Sequence, residues 1–198
     1  MYLEDKKETS NLIRLPTHDL LVQFVTIVYI PTLVFKKANV LSDLSQVKAD
    51  IVPYTSEYAR DVRSWIDCEE TYYNLCRSKD FPPPPNVVET WQRNNITPYL
   101  LFSSNRPVAY AELWERRLER EIEITHLIVD TFKRGQGFGT KMLQLLYDRA
   151  SQRKGIMKVV LHMFTDNHEA LGCYLSAGFE LVGTTPGFPG LRMIKIVK

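Results

Sequence analysis

Ile122-Glu123-Ile124-Thr125-His126-Leu127-Ile128-Val129, followed by Arg134-Gly135-Gln136-Gly137-Phe138-Gly139-Thr140, is the stretch on which the fold turns. The first eight residues are rich in β-branched side chains and read as a strand. Beyond the glycines, Phe138, Met142, Leu145, Leu146 and Ala150 recur at helical spacing, so one face of the following helix is apolar. Arg149, Arg153 and Lys154 suit the negative end of its dipole, and Gly155 is placed to cap it in a left-handed conformation. Alternating glycines at the start of a helix leave first-turn N–H groups unshielded, an arrangement that receives phosphate. It is not a P-loop, because Gly139 is followed by Thr140 before Lys141. It is not a dinucleotide fingerprint either, because Thr140 stands where that pattern needs its third glycine.

The loop does fit Arg/Gln-x-x-Gly-x-Gly/Ala, through Arg134, Gly137 and Gly139, and here the chain resembles the GNAT superfamily of acyl-CoA N-acyltransferases. A second block strengthens the resemblance: Asn167, Ala170, Tyr174, Gly178 and Phe179 match the family's later Asn-x-x-Ala-x-x-x-Tyr-x-x-x-Gly-Phe motif. It covers roughly Ala49 to Lys198. It implies an α/β (α+β) fold with a mixed, largely antiparallel central sheet flanked by helices. It also implies an N-acetyltransferase that moves an acetyl group from acetyl-CoA to a primary amine by direct attack in a ternary complex.

The same resemblance suggests roles for residues. Arg134, Gly135, Gln136, Gly137, Phe138, Gly139 and Thr140 would hold the pyrophosphate of the coenzyme. Leu127 and Val129 would pair with the pantetheine arm through their backbone, on a strand splayed from its neighbour. Asn167 would bond that arm, or simply cap its helix. Tyr174 matches the tyrosine that gives a proton to the departing thiolate. Glu123 stands where several members carry a catalytic glutamate.

The chemistry asks for such groups. An amine such as lysine titrates near 10.4, so at neutral pH a base must take its proton. Strand alternation places Glu123, Thr125, Leu127 and Val129 on one face and His126 on the other, where it reads as structural. By the resemblance, Glu123 is the expected base, directly or through water. No serine or cysteine sits in a nucleophile motif, and Cys173 is only a neighbour of Tyr174. A non-catalytic acyl-CoA-binding or sensing domain is the alternative, and retention of Glu123 and Tyr174 argues against it. A small amine, an antibiotic, a peptide N-terminus and a lysine remain open as acceptors, as does a longer acyl chain.

Composition sets the outer bounds. The chain has 198 residues, 44% hydrophobic and 24% charged, with a formal net charge of +2. These are ordinary globular values without the electrostatic footprint of a nucleic-acid or anionic-membrane partner. Cys68, Cys76 and Cys173 form no CxxC pair, and the four histidines form no metal motif, so neither a disulfide framework nor a metal centre is expected. A reducing, cytoplasmic setting follows as the expectation, with a monomer or homodimer.

Taken in order, residues 1–48 read as an N-terminal extension and 49–198 as the GNAT domain. Leu20 to Phe35 is apolar but short for a membrane span and contains Pro31. Ala49 to Tyr54 reads as a first strand, with Thr55 or Ser56 capping a helix to Trp65. A second helix over Thr71 to Cys76 stops at Phe81-Pro82-Pro83-Pro84-Pro85, and Val87 to Arg93 gives a third. Tyr72, Tyr73, Phe81 and Trp91 could wall an acceptor pocket or belong to the core. Ile96–Ser103 and Pro107–Trp114 read as a hairpin about Ser104-Asn105-Arg106. Met157–Phe164, Phe179–Thr184 and Leu191–Val197 complete the strands, with a helix over Asn167–Ser176.

Overall fold

A computed structural model of the protein describes residues 49–185 and 187–198. The Leu20–Phe35 run lies outside these residues. Seven strands form one sheet: β1 (Asp50–Pro53), β2 (Ile96–Ser103), β3 (Arg106–Arg116), β4 (Glu121–Val129), β5 (Lys158–Met163), β6 (Glu180–Thr185) and β7 (Phe188–Ile196). Their order is β1-β2-β3-β4-β5-β7-β6. Every pairing is antiparallel except β4 with β5. The helices are α1 (Ala59–Ser64), α2 (Glu69–Cys76), α3 (Val87–Thr90), α4 (Phe138–Ser151) and α5 (His168–Ser176). This is the mixed, largely antiparallel α/β sheet with flanking helices that the motifs imply.

Strand alternation sorts the core into two layers. Tyr99 and Leu101 of β2 join Ala109, Ala111, Leu113, Ile122 and Ile124 against α4 and α5. Leu100 joins Tyr110 and Ile128 against Val62, Trp65, Ile66, Tyr72, Val88 and Trp91 from the α1–α3 region. On α4, Phe138, Met142, Leu143, Leu146 and Ala150 are buried. Each large side chain so buried stabilises the fold by roughly 1.5–3 kcal/mol, which fixes the position of the glycine loop that starts the helix. The β2–β3 turn places Ser104 and Asn105 at φ 50° and 63°, the left-handed pair of a tight hairpin.

Two local expectations change. Thr55 makes no side-chain capping bond, because its hydroxyl donates to Glu57 at 2.7 Å. Gly155 is left-handed (φ 87°) but lies beyond the helix, which ends at Ser151 with Gln152 still right-handed.

The larger correction concerns β4. Tyr110 pairs with Ile128 and Glu112 with Thr125, so His126 and Leu127 together oppose Ala111. His126 sits at φ 48° in this bulge. A bulge with a left-handed first residue resets the alternation of its strand. Leu127 and Val129 therefore pack with Ile122 and Ile124 on the α4 side, while Ile128 packs on the α1–α3 side. His126 shares the Glu123 and Thr125 face, contrary to the simple alternation.

Candidate active site

The β4–β5 ladder runs only from Glu121↔Lys158 to Ile124↔Leu161, although β4 continues to Val129. Parallel neighbours that part this way leave a wedge of unpaired backbone, and Leu127 and Val129 lie on its β4 side. The wedge opens just before the glycine loop, so an extended arm and a phosphate can be received by consecutive segments.

The loop is built for main-chain recognition. Gly135 and Gly137 are left-handed (φ 72° and 85°), and Gly137 precedes α4 without any side-chain cap. The helix ladder begins with Lys141 N–H donating to Gly137 C=O at 2.9 Å, which leaves the first-turn N–H groups of Phe138, Gly139 and Thr140 outside it. Side chains here serve structure: Gln136 Nε2 donates to Phe132 C=O at 3.0 Å, and the buried Thr140 hydroxyl faces Cys173 Sγ at 3.6 Å.

Arg134 acts as a clamp. Its guanidinium donates to Trp65 C=O at 2.7 Å, to both Asp67 oxygens at 3.1 and 3.2 Å, and to Val129 C=O at 3.3 Å. It ties the α1–α2 connection to the end of β4, and its guanidinium is engaged with protein groups.

On α5, Asn167 Oδ1 accepts from Ala170 N–H at 3.0 Å and so caps the helix. Tyr174 is buried in the α4–α5 core layer, and burial pushes its phenol well above the ordinary range. Burial likewise raises the Cys173 thiol. Both groups are held in their protonated forms.

Glu123 is buried on the other face of the sheet. Its Oε1 meets His162 Nδ1 at 2.8 Å and its Oε2 accepts from Arg116 at 3.2 Å. Beside it, buried Glu121 is ringed by Arg192, Lys158 and Arg116 at 2.8, 3.3 and 3.6 Å.

The same face holds a group the sequence reading passed over. Glu112 of β3 is completely buried. Its Oε1 accepts from Tyr110 Oη at 2.5 Å, and its Oε2 accepts from Thr125 Oγ1 at 3.0 Å and meets His126 Nδ1 at 2.7 Å. His126 stacks on Trp91, with centroids 4.4 Å apart and planes 6° from parallel. The available signal was a lone glutamate amid the apolar residues of β3, where an unpaired charge would be costly.

The structure is thus a splayed-sheet α/β domain with an uncapped helix start near the mouth of the splay. The chain belongs to the acetyltransferase (GNAT) family, whose sequence profile matches residues 60–179. It is 27% identical over 116 residues to the aminoglycoside N(6')-acetyltransferase type 1 of Klebsiella pneumoniae, a match covering 52% of this chain and 58% of that relative. The chain therefore spans somewhat over half the length of this curated relative. The fold is similar to the aminoglycoside acetyltransferase AAC(6')-Ib solved with ribostamycin and coenzyme A, with TM-score 0.64, 21% identity, and coverage of 75% of this chain and 93% of that one. It is also similar to the Vibrio cholerae spermidine N-acetyltransferase solved with coenzyme A and spermine, with TM-score 0.62, 15% identity, and coverage of 76% and 96%.

Proposed function

We propose that this protein transfers an acetyl group from acetyl-CoA to a primary amine, by direct attack within a ternary complex. The observation that carries the reading is the parting of β4 from β5 after Ile124, directly upstream of the uncapped start of α4. In the proposal, the N–H groups of Phe138, Gly139 and Thr140 hold the pyrophosphate, with Gly135 and Gly137 letting the backbone approach. The backbone of Leu127 and Val129 pairs with the pantetheine arm, and the amide nitrogen of Asn167 is left to contact it. The bound thioester supplies an activated acetyl group. Tyr174, kept protonated by burial, donates to the sulfur as negative charge develops there. The raised thiol of Cys173 gives no support to a covalent acyl-enzyme.

The acceptor side is proposed to be the face that carries Glu123, Thr125 and His126. Glu123 reaches the amine through water in this reading, since Arg116 and His162 already engage its two oxygens. Near the end of β5, where Phe164 meets the Tyr73 ring at 5.5 Å, a recess of about 510 Å³ is lined by Glu69, Glu70, Tyr73 and Lys79. Its two carboxylates suit amines, beside a ring that Arg77 and Lys79 already cover, and the aminoglycoside and spermidine acetyltransferases named above act on amine acceptors. We place the activity in residues 49–198 and the protein in the cytoplasm.

The test is release of free thiol from acetyl-CoA with kanamycin, ribostamycin, spermine and a lysine peptide as acceptors. Transfer to any of them supports the reading. Tight acetyl-CoA binding without thiol release in the whole panel would mark a binding or sensing domain instead.

A further inference from the structure

We propose that His126, held by the buried carboxylate of Glu112, is the group that takes the proton from the acceptor amine, in place of a water-mediated route to Glu123. The inference rests on the N-acetyltransfer reading and names the catalytic base within it.

An ionised carboxylate only accepts hydrogen bonds. Glu112 therefore requires a proton on His126 Nδ1, which it meets at 2.7 Å. In the neutral ring that proton leaves a lone pair on Nε2. Among the described residues, Nε2 has no hydrogen-bond partner. The support is deep: Gln92 Nε2 donates to Tyr110 Oη at 3.1 Å, Tyr110 donates to Glu112, and Thr125 adds a third bond. Trp91 fixes the plane of the ring. A carboxylate that sets the tautomer and orientation of an imidazole is the way such a base is prepared.

Placement agrees with chemistry. The bulge lies immediately past Ile124↔Leu161, the last pair of the β4–β5 ladder, so His126 stands at the mouth of the wedge next to Leu127. Its side chain is 21% exposed, against 10% for Glu123. Around it, Tyr110 on β3 is raised by burial and then by the Glu112 charge, and Cys76 on α2 is pushed up to about 11, chiefly by burial. Both stay protonated, so Glu112 is the charge that faces the ring.

The step balances. The cationic amine gives one proton to Nε2, and its nitrogen lone pair then forms the C–N bond as the C–S bond breaks. The second nitrogen proton replaces the one that Tyr174 gives to the departing sulfur.

Nitrogen-15 NMR of the histidine-labelled protein at pH 8 should show His126 protonated at Nδ1 and bare at Nε2. Glu112→Leu removes the acceptor facing Nδ1, which a glutamine oxygen would still supply, and should release this tautomer and lower turnover with it. His126→Asn keeps a residue tolerant of positive φ, and should lower turnover of the acetylated panel acceptor by about 100- to 10,000-fold with acetyl-CoA affinity unchanged. His126→Gly accepts the same backbone and leaves a ring-sized gap, so added imidazole should restore part of its activity. An Nε2–H tautomer, a doubly protonated ring at pH 8, or wild-type turnover in His126→Asn would overturn the assignment. Loss in Glu123→Gln with no imidazole rescue of His126→Gly would return the base to Glu123. Wild-type protein inert towards the whole panel would instead sink the transfer reading, and this proposal with it.

Discussion

A Cβ built on Gly139 would lie 3.1 Å from Sγ of Cys173 and 3.5 Å from Cγ2 of Val129. The third loop glycine therefore has a packing role: it lets α4 close against α5 and β4. Gly139→Ala should destabilise the domain by about 1 kcal/mol, since overpacking typically costs 1–3 kcal/mol and alanine recovers some helix propensity. Adding Cys173→Ala removes the sulfur, so the double variant should be less destabilised than the sum of the singles. Strict additivity in urea unfolding would show that the contact is not what requires glycine there.

Gly137 is constrained differently, by backbone conformation. Its φ of 85° lies where a Cβ meets the following carbonyl, at a cost of roughly 1–2 kcal/mol. Gly137→Val should keep the fold with reduced stability and lose acetyl-CoA binding, because the strand-favouring residue also draws the first-turn N–H groups out of line. Calorimetry on the folded variant decides this. Unchanged affinity would move the phosphate site elsewhere.

Both motifs were legible as fixed spacings that resemble the family's: Arg134, Gly137 and Gly139 at one helix start, Asn167 and Tyr174 on the next helix. The strands were legible from their β-branched runs. The bulge was not, since His126 carries no glycine to announce a positive φ, and one extra residue reverses every face beyond it. Glu112 was missed for a related reason. Glu112, between Ala111 and Leu113, gains its partners only when Thr125 and His126 arrive from β4, a pairing no spacing along the chain reveals. The Arg134 guanidinium is likewise read from sequence as a phosphate ligand, while its protein partners Trp65 and Asp67 lie nearly 70 residues upstream.

That clamp has a pH signature. Burial pushes the Asp67 carboxyl upward, but hydrogen bonds from Arg134 and then Thr71 outweigh it and hold the group below its ordinary value of 3.8. A carboxyl lowered by folding stabilises the fold above its unfolded pKa, and this contribution is lost as pH falls through the folded pKa. With both partners about one-third exposed, solvent screening limits the ion pair to about 1 kcal/mol. Asp67→Asn should therefore be less stable than wild type at pH 7, with the gap closing below about pH 4. A gap that persists at pH 2 would mean that the loss is steric and not electrostatic.

Tyr174 offers the sharpest separation of binding from chemistry. Burial raises its phenol, with a further contribution from Cys173, so it stays a donor throughout the neutral and mildly alkaline range. Tyr174→Phe keeps the ring in the α4–α5 core layer and removes only the hydroxyl. If that hydroxyl donates to the sulfur, turnover should fall by about 100- to 10,000-fold while acetyl-CoA affinity is unchanged. The dependence on the leaving group separates this from a packing defect: a more acidic thiol needs less help, so the loss should shrink with an activated thioester of the same acetyl group. Wild-type Tyr174 should also add no alkaline limb to the pH–rate profile below about pH 10, the ordinary titration range of a phenol. An equal loss with activated and natural thioesters, or an alkaline limb that disappears in Tyr174→Phe, would remove Tyr174 from the proton path and leave it as a core residue of α5.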